Sequence, residues 1–239
     1  MLVRHSTMND EARERSVQRA TARNLGQRRA GYPDERLVAF LSRRFGGDVA
    51  NRERRALDIG FGSGRHVQLL LDFGFETHGI EYTHEALEAA RESLDPDSLA
   101  RVSSLSLEDY RRYRPTRPFD VVVAWGVLPH SEYSRIVDDL DHMARLLTDD
   151  GRLFVNFRTR DNWFHGAGET LDEKSYLLDA RAREYEGLVY SFVSGLDDVR
   201  DLVTRSSLEL VASERLELWK DDSKDRNSWI ICELAAPSR

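Results

Sequence analysis

The chain is short of cysteine and has no long hydrophobic run. Its one cysteine, Cys232, excludes an internal disulfide and any metal site built from several cysteines. No apolar stretch approaches the length that spans a bilayer, so the sequence predicts no transmembrane helix. Residues 1–14 also lack the apolar core of a secretory signal. We therefore expect a cytoplasmic protein without a membrane partner.

Lysine is scarce too, with 3 Lys against 32 Arg. Residues 1–55 hold 13 Arg and 7 acidic residues, although the whole chain has a net charge of -7. A basic segment can bind nucleic acid. Here the arginines alternate with acids, as on solvated helix faces, and no stacking aromatic residues are interleaved. We expect no nucleic-acid partner.

What the chain does have is a glycine-rich stretch at residues 57–66, which reads LDIGFGSGRH. An apolar run ends in Asp58, three glycines spaced by two follow, and a helical pattern begins; this predicts a strand, a tight loop and a helix start. Such glycines permit positive φ angles and close backbone approach to a ligand. A dinucleotide fingerprint would have its third glycine at the position of Arg65, so we favour another nucleotide-type cofactor.

Later segments have the spacing of a parallel α/β sheet. Residues 77–82 predict a second strand that ends in the carboxylate of Glu81, about twenty residues beyond the loop. Residues 149–151 predict a turn into a strand at 152–158.

Other elements follow from local patterns. Helices are predicted to open at Pro33 and Asp34, to start after a Thr83 cap, and to span 131–147 and 196–204. Residues 101–105 predict a third strand, and residues 208–219 and 228–234 predict a final antiparallel hairpin.

The pattern of Asp58, Gly60, Gly62 and Gly64 resembles motif I of the class I S-adenosylmethionine-dependent methyltransferases. Residues 77–82 match its second strand, residues 119–130 look like its fourth strand with the loop that follows, and residues 147–157 look like the entry to its fifth strand. The resemblance covers roughly residues 50–160. It implies an α/β fold with a Rossmann-like, doubly wound, seven-stranded sheet whose last strand is antiparallel. It also implies S-adenosylmethionine as the cofactor.

The resemblance further implies which residues contact the cofactor. The loop would wrap the methionine part, Glu81 would accept hydrogen bonds from both ribose hydroxyls, and the turn after the third strand would contact adenine. The acid that the family often has in that turn is either missing or shifted toward Glu108 and Asp109. The cofactor-binding candidates are Asp58, Gly60, Phe61, Gly62, Gly64, Glu81, Tyr82, Ser104, Leu105 and Trp125. For Glu81 a surface position, and for Trp125 a purely structural role, remain the alternatives.

Methyl transfer from a sulfonium requires positioning, and removal of a proton where the acceptor needs it. His130 is the candidate catalytic base, because it ends the fourth-strand loop at the sheet edge where α/β folds bind ligands. A helix-capping or pocket-shaping role is the alternative for His130. His66, in the first turn after the loop, is expected to pack or to form a hydrogen bond.

The acceptor is expected to lie against residues 159–190, a polar, aromatic and glycine-rich segment that predicts a long irregular binding loop. Arg158 could hold a carboxylate or phosphate bidentately, or could be a surface charge at a strand end. The other substrate-binding candidates are Tyr32, Trp163 and His165. Asp149 and Asp150, adjacent in a turn, lack further ligands, so no metal is expected.

These features together predict a methyltransferase domain at 33–239, with a substrate-loop insertion at about 159–190 and an N-terminal arm or lid at 1–32. We expect transfer of a methyl group from S-adenosylmethionine to an O or N atom of a small-molecule acceptor, such as a secondary metabolite or saccharide intermediate. The alternatives are a protein or peptide methyltransferase and a non-catalytic cofactor-binding protein. A homodimer is left open.

Overall fold

The structure is a computed structural model that describes residues 15–16, 18–22, 25, 31–46 and 51–237. Most of the arm at 1–32 lies outside the described residues, so a lid there stays a prediction. The described residues between 15 and 25 are helical.

The helices and strands alternate over the first two thirds of the chain. The helices are α1 (Glu35–Phe45), α2 (Arg65–Asp72), α3 (His84–Ser93), α4 (Pro96–Arg101), α5 (Ile136–Ala144) and α6 (Leu196–Thr204). The strands are β1 (Arg55–Ile59), β2 (Glu76–Glu81), β3 (Ser104–Leu107), β4 (Phe119–Ala124), β5 (Leu147–Arg158), β6 (Glu169–Thr170), β7 (Ser175–Leu177), β8 (Val189–Ser191), β9 (Glu209–Lys220) and β10 (Asp225–Ala235).

The main sheet has seven strands in the order β3-β2-β1-β4-β5-β10-β9. Neighbouring strands from β3 to β5 run parallel, whereas β10 runs antiparallel to both β5 and β9. The predicted fold, a seven-stranded Rossmann-like sheet with an antiparallel last strand, is confirmed. Because β1 to β5 are parallel, their carboxyl ends lie along one edge of the sheet, where ligands of such folds bind.

Helices cover both faces of this sheet and bury its apolar side chains. On one face, α1 places Phe40 against Phe154 of β5, with the ring centroids 4.9 Å apart. On the other, α5 and α6 bury Leu140 and Leu202 against β4 and β5. The cap of α1 is Asp34, whose carboxylate accepts a hydrogen bond from the Arg36 amide, and Thr83 caps α3 in the same way. The two predicted helix starts are therefore confirmed.

Three predicted elements are displaced. The strand predicted at 101–105 is β3, three residues later, because Asp95 caps α4 and Pro96 occupies its first position. The helix predicted at 131–147 splits into a 3₁₀ turn, Tyr133–Arg135, and α5. The turn predicted at 149–151 is instead a bulge inside β5, where residues 148–151 stand opposite a single residue of β4.

The segment at 159–190 is more regular than predicted. It contains a second sheet of three short antiparallel strands, β6, β7 and β8, and a 3₁₀ stretch, Ala180–Tyr185. Buried aromatic side chains give it a small core of its own. The Tyr133 amide donates to Ser175 Oγ at 2.6 Å, so this small sheet is held against the segment that follows β4.

Candidate active site

The loop between β1 and α2 lies at the carboxyl edge of the parallel strands. Gly60, Gly62 and Gly64 have φ angles of 70°, 54° and 81°, which residues with a side chain rarely adopt. A Cβ on Gly60 would stand 3.1 Å from Val127, and a Cβ on Gly64 would stand 3.2 Å from Ala90. At Gly62, in contrast, no atom of the described residues lies within 4 Å of such a Cβ. The first and third glycines therefore permit packing, and the middle one faces open space.

Glu81 closes the loop from the neighbouring strand. Its Oε2 accepts a hydrogen bond from the Gly62 amide at 3.0 Å, and its Oε1 accepts one from the Tyr82 amide at 2.7 Å. Burial raises the pKa of this carboxyl, and the two amide hydrogen bonds oppose the shift. The predicted neighbourhood of loop and carboxylate is confirmed, and a position of Glu81 as a surface acid is excluded by its burial.

Asp58 places a second carboxylate beneath the same loop. It is 1% exposed, and its Oδ2 accepts no hydrogen bond from any group in the described part of the chain. Burial raises the pKa of Asp58 well above its usual value; Arg65 opposes this shift, and the negative charge of Glu81 adds to it. A buried carboxylate oxygen without a donor is costly, and it suits a site that receives a cation or an N–H donor.

The residues that open α2 connect the loop to α1. His66 Nε2 accepts a hydrogen bond from the Asp34 amide at 3.3 Å, which confirms the expected hydrogen-bonding role. Burial, and then the charge of Arg65, lower the pKa of His66 to about 3, so His66 is neutral. Arg65 donates to the backbone oxygen of Tyr32. The Tyr32 side chain is 85% exposed and does not join the other substrate-binding candidates.

Phe61 and Leu105 pack over the middle of β2. A Cβ on Gly79 would lie 2.7 Å from Phe61 and 2.8 Å from Leu105. The Phe61 side chain is buried with residues of α2 and α3, so a cofactor in the loop would meet its backbone. Ser104 lies beside Leu105, and its Oγ is 2.8 Å from His78 Nδ1.

The premise that Ser104 and Leu105 form the turn after the third strand is wrong. Both lie inside β3, where they pair with His78 and Gly79. The strand begins only at Ser104 because α4 occupies the residues before it. The turn beside Glu81 begins at Glu108, whose amide donates to the Glu81 backbone oxygen at 2.9 Å. The shifted acids Glu108 and Asp109 therefore stand where the adenine contact was expected.

The segment after β4 forms the next wall. Trp125 is half-buried and stacks on Phe154, with the rings 5.8 Å apart and nearly parallel. The following amide, of Gly126, donates to Asn156 Oδ1 at 2.7 Å. His130 ends a 3₁₀ turn, Leu128–His130, and its ring packs edge-on against Tyr190 of the small sheet at 4.5 Å. The candidate base thus lies between the main sheet and the small one.

Arg158 ends β5 and is buried, which rules out a surface charge. Its guanidinium lies over the rings of Trp229, Phe164 and Tyr190, at 4.5, 5.3 and 5.5 Å. Trp163 belongs to the same aromatic cluster. His165 is exposed and packs edge-on against Phe192 at 5.0 Å; partial burial lowers its pKa. The structure therefore brings His130, Arg158 and Trp163 together through shared aromatic neighbours, with His165 at the rim.

Three residues that sequence reasoning missed help to build this site. Asn156 holds the β4 loop, Asn227 accepts a hydrogen bond from Arg158, and Gly79 makes room for Phe61. Gly79 had a signal, because a glycine inside a strand often marks a close approach. The two asparagines act through partners 30 and 69 residues away, which no local pattern indicates.

The described residues contain no group of three or more His, Cys, Asp or Glu side chains arranged to hold a metal ion. None of the helices they form is both long and apolar enough to cross a bilayer.

Comparisons with known proteins agree with this geometry. Residues 57–153 match the sequence profile of a family described as "Methyltransferase domain". Among curated proteins, 124 residues are 34% identical to a phosphatidylethanolamine N-methyltransferase of Cereibacter sphaeroides, over 50% of this chain and 58% of that protein. A tRNA U34 carboxymethyltransferase of Actinobacillus succinogenes is 34% identical over 99 residues, which is 40% of this chain and 28% of that protein. The chain thus spans less than two thirds of either relative.

The fold is also shared with solved structures. A 1,6-didemethyltoxoflavin-N1-methyltransferase of Burkholderia thailandensis, solved with bound 1,6-didemethyltoxoflavin and S-adenosylhomocysteine, superposes with a TM-score of 0.66. The sequences are 17% identical, and the superposition covers 98% of this chain and 93% of the other. At this identity the likeness shows the fold.

Proposed function

We propose that this chain transfers a methyl group from S-adenosylmethionine to an O or N atom of a small-molecule acceptor. Its residues 57–153 match a methyltransferase-domain family, and its fold is shared with an S-adenosylhomocysteine-bound methyltransferase. The observation that carries the proposal is the glycine loop, with Gly62 bound to Glu81 above the buried Asp58. The Gly62 amide binds Glu81, and Glu81 is near enough to Asp58 for its charge to raise the pKa of Asp58, so both carboxylates belong to the loop region.

The residues present fit this cofactor. S-adenosylmethionine carries a positive sulfonium and an α-amino group, and the unsatisfied oxygen of Asp58 supplies a negative partner. Glu81 ends the strand next to the loop, and we assign it to accept hydrogen bonds from the ribose hydroxyls of the cofactor. Glu108 and Asp109 follow β3 next to Glu81 and are the residues we assign to adenine. The S-adenosylhomocysteine in the Burkholderia structure of the same fold supports this choice of cofactor.

The cofactor supplies a methyl group already activated by the sulfonium, so the protein's part is to position the acceptor and to accept a proton. His130 lies at the end of the segment that follows β4 and is the residue we assign to the proton. Its ring is held by Tyr190, which fixes the imidazole in the space between the two sheets.

The small sheet supports a compact acceptor. Its aromatic cluster covers the carboxyl ends of β4 and β5, and Arg158 and Trp163 lie within or beside that cluster. The 1,6-didemethyltoxoflavin bound in the Burkholderia structure is itself a small molecule. The curated relatives match only 40% and 50% of this chain, and the chain covers less than two thirds of either, so we carry over neither tRNA nor phospholipid as acceptor.

Binding and turnover together test the proposal. The full chain is titrated with S-adenosylmethionine and S-adenosylhomocysteine by calorimetry, and a panel of small O and N acceptors is then screened by S-adenosylhomocysteine release. We expect binding of both compounds and release with at least one acceptor. Absence of binding would overturn the proposal, and tight binding without turnover on small or peptide acceptors would favour a non-catalytic protein. Turnover on peptides alone would favour the peptide methyltransferase.

A further inference from the structure

Arg158 is a buried arginine without an acidic partner among the described residues. It is 7% exposed, and the one described group that accepts a hydrogen bond from it is Asn227 Oδ1, 3.2 Å from Nη1. Its Nε is fully covered and has no acceptor. Arg55, the other arginine buried to this degree in the described part of the chain, has Glu76 at 3.0 Å. A buried guanidinium without a counter-charge is costly, which favours the arrival of an anion.

The surrounding rings pack around the guanidinium, and Nε and Nη2, on one edge of its plane, have no acceptor among the described residues. Trp229, Phe164 and Tyr190 surround its central carbon at 4.5–5.5 Å, and such rings interact with a guanidinium through its charge and its flat faces. The N–H groups point outward in the guanidinium plane, and Nη1 is already used by Asn227. The edge formed by Nε and Nη2 meets no oxygen of the described residues. That edge matches the two oxygens of a carboxylate in a bidentate pair.

The position of Arg158 connects it to the proposed site. Alternate residues of a strand project from the same face, so Arg158 follows Phe154 and Asn156 along one face of β5. Phe154 stacks on Trp125, and Asn156 binds the Gly126 amide, so this row runs beside the segment after β4. Tyr190 contacts both Arg158 and His130. A molecule anchored at Arg158 would therefore extend toward His130.

We propose that the acceptor carries a carboxylate group, which pairs with the Nε and Nη2 edge of Arg158. This inference rests on the proposed function, because it names the class of acceptor for the same site. Before the acceptor arrives, the aromatic rings and the Asn227 oxygen stabilise the charge; the carboxylate then displaces the packing that covers Nε and completes the pair. The same guanidinium then fixes the orientation of the acceptor relative to His130.

The test uses the full chain saturated with S-adenosylhomocysteine and three probes. Benzoate is the planar carboxylate, benzamide is its uncharged match, and inorganic phosphate is a non-planar anion; each is titrated by calorimetry. We expect benzoate to bind at least tenfold more tightly than benzamide or phosphate. Arg158→Gln and Arg158→Lys should each lower the benzoate affinity at least tenfold, the second because a lysine keeps the charge but lacks the fork. Arg183→Gln is the matched control, since Arg183 also lies over a tryptophan ring, at 4.2 Å, but is paired with Asp225.

The comparison of the three probes on the wild-type protein tests the inference even if a variant fails to fold. Equal affinity for benzoate and benzamide, a preference for phosphate, or no binding of benzoate would overturn the inference. So would an Arg158→Gln protein that binds benzoate as the wild type does. In each of these cases the binding of S-adenosylhomocysteine is measured on the same sample. Failure of that binding in the wild type contradicts the proposed function, whereas intact binding with indifference to benzoate contradicts the carboxylate alone.

Discussion

The amide of Gly62 donates a hydrogen bond to Glu81 Oε2 at 3.0 Å, and this contact ties the carboxyl ends of β1 and β2 together. The second carboxylate oxygen is held by the Tyr82 amide, so both oxygens of Glu81 are oriented by the backbone. A carboxylate fixed in this way loses little freedom when a ligand arrives, and such preorganisation favours binding. Its remaining lone pairs are available for hydroxyl donors.

Glu81→Ala should therefore weaken S-adenosylmethionine binding by roughly 1–3 kcal/mol, through the loss of hydrogen bonds to a charged group. Calorimetry on the purified variant measures the change. Glu88→Ala, on the exposed side of α3, is the matched control and should bind the cofactor as the wild type does. If Glu81→Ala keeps the wild-type affinity, the ribose assignment is wrong.

Asp58→Asn should change cofactor affinity and folding stability in opposite directions. The buried carboxylate loses its charge, so the free energy of unfolding of the unliganded chain should rise by roughly 1–3 kcal/mol, measured by denaturant titration. The cofactor affinity should fall in the same variant, because the negative partner of the cation is gone. Burial raises the pKa of Asp58, so its carboxyl takes up a proton as the pH is lowered, and the wild-type affinity for the cofactor should then fall. The Asp58→Asn variant has no carboxyl at this position and should lack this part of the pH dependence. Wild-type affinity in Asp58→Asn would contradict the role of this carboxylate.

The cofactor loop could be predicted from sequence because its signals are local. Glycines with positive φ and the helix start after them belong to consecutive residues, and Glu81 follows at the distance of one βαβ unit. The displaced third strand also had a local signal: Asp95 and Pro96 form a helix start that sets the position of β3.

The acceptor side could not be predicted in the same way. The partners of Arg158 come from three parts of the chain: Phe164 lies nearby, Tyr190 belongs to the small sheet, and Asn227 is 69 residues away on β10. Whether an arginine at a strand end is a surface charge or a buried group depends on these tertiary contacts. A strand pattern alone does not contain that information.

Gly79→Ala tests the packing of Phe61 over β2. The new Cβ would stand 2.7 Å from Phe61 and 2.8 Å from Leu105, so one of these side chains must move. Such overpacking should lower the free energy of unfolding by roughly 1–3 kcal/mol. Displacement of Phe61 should also shift the glycine loop that contains it and so weaken cofactor binding. Gly31→Ala is the control, because no described atom lies within 4 Å of its Cβ. A Gly79→Ala protein as stable as the wild type would contradict this packing.

His130→Ala should lower kcat far more than cofactor affinity. A positioned base contributes about 10²–10⁴-fold to a proton transfer, so a loss of at least about 100-fold is expected once an acceptor is known. His142→Ala, on the outer part of α5, is the control and should keep wild-type turnover. If kcat is unchanged in His130→Ala, the proton leaves by another route or the acceptor needs no base.

His66 should make the folded protein sensitive to acid. Burial lowers its pKa from 6.5 to about 3 in the folded chain, so between these values the unfolded chain binds a proton that the folded chain does not. Stability must then fall as the pH is lowered through this window, by about 2–3 kcal/mol for this group between about pH 7 and about pH 4.5. Asp58 and Glu81 have raised pKa values and act in the opposite direction, but they are the same in any variant of position 66.

His66→Gln isolates the contribution of His66, because a glutamine oxygen can still accept from the Asp34 amide and does not titrate. Denaturant unfolding at the two pH values should show a loss of stability on acidification that is smaller in His66→Gln than in the wild type, by the amount above. His142→Gln replaces a histidine on the exposed side of α5 and should lose as much stability as the wild type. Equal losses in His66→Gln and the wild type would mean that His66 takes up its proton in the folded chain as easily as in the unfolded one, and that the hydrogen bond between α1 and α2 does not hold it neutral.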